Sequence, residues 1–199
     1  AGTKSVQRWL ANDDIHLISS PVSAQGIKSF GDATGNSIKQ YPYPSATPTE
    51  YDIANYNEPG DDWSYYTISG ATGNFGVGQG YLAQRSASGT VTFTGGTINI
   101  GTISPAISRT SGTIYGWNCI GNPYTSALKA RGAGSFLALA SNLANLDPGY
   151  AALFIWNQST GDYDQITTGS GELNIAVGQG FIIRAATSTS TVSFTRAMQ

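Results

Sequence analysis

"VGQGY" at residues 77–81 returns one hundred positions later as "VGQGF" at 177–181, each time leading into a strand-like run, "YLAQ" and "FIIR". Working outward from this pair brings three further blocks into register in the same order. "IHLISSPV" (15–22) matches "WNCIGNPY" (117–124), with Ile18 over Ile120 and Pro21 over Pro123. "YNEPGDDW" (56–63) matches "WNQSTGDY" (156–163), with Asn57 over Asn157 and Asp62 over Asp162, and "TVTFT" (90–94) matches "TVSFT" (191–195). Four ordered blocks at offsets of 100 to 102 mark an internal duplication, with pseudo-repeats at about 9–100 and 110–199.

Each block has the signature of strand or turn. "TVTFT" alternates Val91 and Phe93 with threonines, the period of two of a half-buried strand. "ALFIWNQSTGDYDQI" is two such runs around a turn in which Gly161 supplies left-handed backbone, and Pro59 and Gly60 make the equivalent turn in the first half. In the repeated "GQG", Gly78 and Gly80, like Gly178 and Gly180, share one face of a strand and leave room there for a ring to lie flat. Gln79 and Gln179 then project from the other face to tie down a loop. One helix is predicted, in "GSFLALASNLANLD" (134–147), capped by Ser135 and stopped by Pro148. The segment joining the halves is too apolar for a flexible linker and is expected to carry strands. The fold class is therefore all-β: one module over 1–199, a β-sandwich built from two duplicated halves with one short helix. Two packed small β-barrels are the structural alternative.

Composition narrows the function. With 199 residues the chain can bury a core without disulfides or metal, and its one cysteine, Cys119, sits in an apolar stretch that buries it. Only 11% of residues are charged, against about a quarter in an average domain, while 40% are hydrophobic, so the chain folds but presents a neutral, polar surface. Ten scattered Lys and Arg residues give no footprint for nucleic acid, and no apolar run is long enough for membrane insertion. The N-terminal residues lack the charged and apolar regions of a signal peptide, and the segment reads as an excised piece of a longer polypeptide. Catalysis has little material. His16 is the only histidine, expected on an exposed strand face; no nucleophile elbow or metalloprotease helix occurs. The carboxylates that a glycosidase would need fall in turns and loops. No enzyme is expected.

Four tryptophans and eleven tyrosines are the more telling inventory. Aromatic rings stack on sugar faces while Asn, Gln, Asp and Thr reach hydroxyls. The candidate ligand-binding residues are Tyr41 and Tyr43 in the proline-rich "YPYPSATPTE" loop, with Trp63 and Tyr65 on one face of their strand and Tyr66 on the other. Asn157, Asp162 and Asp164, or Asn57 with Asp61 and Asp62, are candidate oxygen ligands for calcium, against a plain reading as turn caps; no other cofactor is indicated. "NQS" at 157–159 also fits an N-glycosylation sequon.

At "WNCIGNPYTS", "FIWNQSTGDYDQI", "VGQGFIIRA" and "VSFTRAMQ" the sequence resembles a duplicated β-rich module of large secreted and cell-surface proteins of the Bacteroidetes group. In that family a "WNLIGNPYPS" block, a "WN...G.Y" hairpin, a "GQGFFV" strand and a final "FT..MR" recur in this order, and "RWLANDDIHLISSPV" resembles its usual first block. Cys119 and Thr125 replace a commoner aliphatic residue and proline. The resemblance implies a non-catalytic, exported module beside polysaccharide-degrading enzymes or adhesins, and it transfers no binding residues. The expectation is an extracellular carbohydrate-binding or adhesive module, acting on polysaccharide alongside neighbouring domains. The competing class is a structural spacer or protein-interaction domain without glycan affinity. Function is expected where the halves differ, in the 41–50 loop and the 130–148 insertion.

Overall fold

The computed structural model of the chain describes residues 4–42, 47–169 and 171–199. The first half contributes strands β1 (Lys4–Leu10), β2 (His16–Ile18), β3 (Gln40–Tyr41), β4 (Glu50–Asn57), β5 (Asp62–Thr67), β6 (Tyr81–Ala83) and β7 (Gly89–Gly95), with helix α1 (Ile27–Asp32) after β2. The second half answers with β8 (Ala106–Ile107), β9 (Trp117–Gly121), β10 (Leu128–Arg131), β11 (Ala152–Asn157), β12 (Asp162–Thr167), β13 (Leu173–Ile175), β14 (Gly180–Arg184) and β15 (Ser190–Thr191), with helix α2 (Ala140–Asn145) before β11. The principal sheets repeat one order. In the first half β2 pairs β6, β6 pairs β4 and β4 pairs β5, with β3 added on β4; in the second, β9 pairs β14, β14 pairs β11 and β11 pairs β12, all antiparallel. Neither sheet closes into a barrel, so the sandwich holds and the paired barrels do not.

Period two explains the layering. Ile18, Ile53, Tyr81 and Ala83 face a core private to the first half, where Phe30 stacks on Phe93 and Phe75 meets both edge-on. Ile120, Leu153, Phe181 and Ile183 face the equivalent core around Phe136 and Phe194. The alternate residues, Leu17, Ala54 and Leu82 from one sheet and Cys119, Ala152, Phe154 and Ile182 from the other, pack against each other in a third cluster between the sheets. The inner strands β2, β6 and β14 are thus buried on both faces, which is why "YLA" and "FIIR" read as continuous apolar runs, while the outer strands β5 and β12 stay largely exposed.

The repeated "VGQG" makes the junction of the halves, by backbone rather than by the expected ring. Ile18 bridges Gln179 and Ile120 bridges Gln79. Ser19 N donates to Gly178 O (2.9 Å) and Gly121 N to Gly78 O (3.0 Å), one pair in each direction. Gly78 and Gly178 hold φ of +79° and +67°, the left-handed turn that glycine adopts freely. At Gly80 a Cβ would meet Ile120 O at 2.5 Å, and at Gly180 it would meet Ile18 O at 3.0 Å, so the second glycine is fixed by the other half's main chain. Gln179 does tie down its loop: its Oε1 accepts from Ala176 N at 3.0 Å.

The long predicted helix is cut to the six residues of α2. Phe136 N and Leu137 N donate instead to Lys129 O and Ala130 O (2.9 and 3.1 Å), so tertiary pairing takes the first turn, and Ser135 caps only Ala138 N. A second helix, α1, has no apolar periodicity beyond Ile27 and Phe30 to announce it.

Candidate functional site

Strand β1 departs from its own pattern. Val6 and Leu10 point to the core and Ser5 and Gln7 to solvent, yet the core-facing position between them holds Arg8, and the solvent-facing one holds Trp9, 64% exposed. Both residues border a cleft of about 330 Å³ where β1 and β2 of the first half meet the β11–β12 hairpin of the second; its other lining residues include His16, Trp156, Gln158 and Asp164. Trp156 is held there edge-on against Tyr163, ring centroids 5.1 Å apart. The volume falls in the range of small-ligand sites.

Polar groups line the same walls. His16 is 6% exposed, not on an open strand face as its sequence context suggested. Burial lowers its pKa first of all, so the ring is neutral near pH 7. Its Nε2 meets Ala11 O at 3.1 Å, which places the proton there and leaves Nδ1 to accept from the Gln158 carboxamide. Gln158 Nε2 also reaches Ile15 O (3.1 Å), tying the hairpin across the junction. Asn157 Oδ1 accepts from Ser159 N and its Nδ2 donates to Asp164, both at 2.9 Å. Arg8 Nη1 donates to Leu17 O (3.1 Å) and Gly178 O (2.6 Å), one carbonyl from each half.

The equivalent place on the other side is filled. Glu58, counterpart of Gln158 in the aligned hairpins, is 5% exposed. Its carboxylate accepts from Thr110 N (2.7 Å), Gly116 N (2.8 Å), Thr110 Oγ1 (3.0 Å) and Ser108 Oγ (3.3 Å), clamping the 108–116 segment over the hairpin. Burial pushes this carboxyl up, but those four bonds outweigh it and hold it below the ordinary glutamate range. By strand register, Trp9 opposite Thr90 corresponds to Ala106 opposite Thr191, and Arg8 to Pro105. One half therefore presents Arg8 and Trp9 at an open cleft, and the other presents Pro105 and Ala106 beside a plugged one.

Of the residues singled out by sequence, Asn157 and Asp164 line this cleft together with Gln179 and Gly180 of the repeated turn, but the candidate aromatic residues do not converge on it. Tyr41 is 61% exposed on β3 and does not line the junction cleft, and Tyr43 lies outside the described residues. Trp63 stacks edge-on with Tyr56 in the layer between the sheets, and Tyr66 packs on the first core. Tyr65 is 44% exposed, away from the cleft. A second, more apolar groove of about 270 Å³ lies among Tyr56, Trp117, Phe154 and Tyr163. The calcium candidates are wired as turn caps: Asp162 Oδ1 accepts from Tyr163 N (2.7 Å), and the nitrogen of Asn157, not its oxygen, faces Asp164. Asn57 likewise donates to Asp62 (3.1 Å). Among the described residues no three His, Cys, Asp or Glu side chains gather as a metal site would require. What the sequence reading passed over was the inverted pair Arg8–Trp9, visible as a breach of alternation in "SVQRWL".

Fold and site together define a duplicated all-β module with an aromatic, hydrogen-bonding cleft at the junction of its halves. The chain belongs to the family described as a domain of unknown function (DUF8693), whose model matches residues 1–199. No curated protein and no solved structure matches it. Among the described residues no helix is long and apolar enough to cross a membrane.

Proposed function

We propose that the chain is a non-catalytic polysaccharide-binding module of a secreted or cell-surface multidomain protein, and that it holds a sugar residue in the cleft between β1 and the β11–β12 hairpin. The observation that carries this reading is the placing of Trp9 and Trp156 around a polar cleft formed on one side of the duplication only. Trp9 supplies an apolar face that the fold does not bury, and Gln158, Ser159 and Asp164 supply the donors and acceptors that sugar hydroxyls need. The resemblance to exported Bacteroidetes modules supports the same reading. Affinity electrophoresis of the chain through gels containing plant, algal and microbial polysaccharides tests it. Retardation by at least one polysaccharide, lost on Trp156→Ala, is expected. Free migration through all of them would favour a spacer or protein-interaction role.

A further inference from the structure

Building on that reading, we infer that the cleft selects an acidic sugar residue, a uronate or a sulfated sugar, through the guanidinium of Arg8. The half-buried Arg8 makes no ion pair among the described residues. Its two hydrogen bonds, to Leu17 O and Gly178 O, both come from Nη1. Among the described residues Nε and Nη2 have no hydrogen-bond partner, and neither is sealed from solvent, so the side of the fork that binds carboxylate or sulfate bidentately is free.

The duplication shows that the fold does not need the charge. Pro105 occupies the equivalent register and packs on Gly78 as Arg8 does on Gly178, with closest approaches to the glycine Cβ position of 3.3 and 3.6 Å. A cation that is costly to desolvate is thus kept on one side only, where the cleft is open. Burial lowers its pKa to about 10, which still leaves it charged at neutral pH. The cleft's other charged group, Asp164, already accepts from Asn157 and is left to take sugar hydroxyls. The chain's net charge of −2 removes bulk attraction to polyanions, so acid selectivity has to arise locally.

The test compares polygalacturonate with its fully methyl-esterified form, and dextran sulfate with dextran, by affinity electrophoresis of wild type, Arg8→Gln, Arg8→Lys and Trp9→Ala. Wild type is expected to bind at least one acidic polymer tenfold or more tightly than its neutral partner, and which pair discriminates separates carboxylate from sulfate. Arg8→Gln should abolish that preference, and Arg8→Lys should restore it in part. Equal binding of acidic and neutral forms by wild type overturns the acidic selectivity while leaving sugar binding intact. Because that comparison needs only wild type, it stands even if the Arg8 variants fold poorly. Binding to no polymer in this set or in the wider polysaccharide panel overturns both readings.

Discussion

The two sides of the duplication start from the same blocks and end differently. Around Glu58 a nine-residue connection, 108–116, is drawn down by four hydrogen bonds and covers the hairpin. Around Gln158 the matching connection is residues 11–14, too short to cover anything, and the hairpin instead borders an open cleft with Trp9. What the copies share is architecture, and what only one of them has is the candidate for function. The shared parts should therefore answer mutation with loss of stability, and the unshared parts with loss of binding.

The largest effect is expected where main chain of one half touches the other. Gly80→Ala forces a methyl group to 2.5 Å from Ile120 O and should cost about 3 kcal/mol or more, read by denaturant unfolding. Gly180→Ala meets its nearest main-chain atom at 3.0 Å and should cost about half as much. Equal costs would mean that the junction is more symmetric in solution than its contacts indicate.

Next come two asparagines that bracket the outer cores. Asn36 accepts from Thr92 N (2.7 Å) and donates to Phe30 O (2.9 Å); Asn142 accepts from Ser193 N (2.7 Å) and donates to Phe136 O (3.1 Å). Each replacement by Ala orphans buried main-chain groups and should lose about 2 kcal/mol, with the two variants agreeing to within about 1 kcal/mol. A large disparity would break the equivalence of the cores.

Glu58 gives a smaller, pH-dependent contrast. Its folded pKa is depressed, so its stabilisation is complete above the unfolded-state value near 4.5 and disappears as pH falls through the folded value. Melting temperatures of wild type and Glu58→Gln should therefore converge as pH is lowered from about 6 to 3. A gap that stays constant would show that the carboxylate's charge is not what holds the 108–116 segment. The smallest effect is chemical: burial raises the Cys119 thiol well above its ordinary pKa, so alkylation at pH 8 should be negligible until the chain is unfolded.

The repeat, the hairpins and the sandwich were legible because period-two patterning and turn glycines act locally. The fifth shared block was not: Phe30 with Asn36 and Phe136 with Asn142 lie at an offset of 106, and the sequence between each pair has diverged so far that only their hydrogen bonds reveal the kinship. The helix over 134–147 was overdrawn because apolar spacing at three and four also suits residues that pair with β10. His16 was misplaced because a three-residue strand buried on both faces has no alternation to read. Tyrosines in a proline-rich loop drew attention through exposure alone, whereas Trp9 becomes informative only once Arg8 beside it is seen facing inward.

The most direct measurement compares Trp9→Ala with Tyr41→Ala on a polysaccharide that retards wild type in affinity electrophoresis, with melting temperatures as the control for folding. Both rings are exposed, so neither change should shift stability by more than about 0.5 kcal/mol. Trp9→Ala is expected to weaken binding tenfold or more while Tyr41→Ala leaves it unchanged. Undiminished binding by Trp9→Ala, or loss confined to Tyr41→Ala, would contradict a sugar site in the junction cleft.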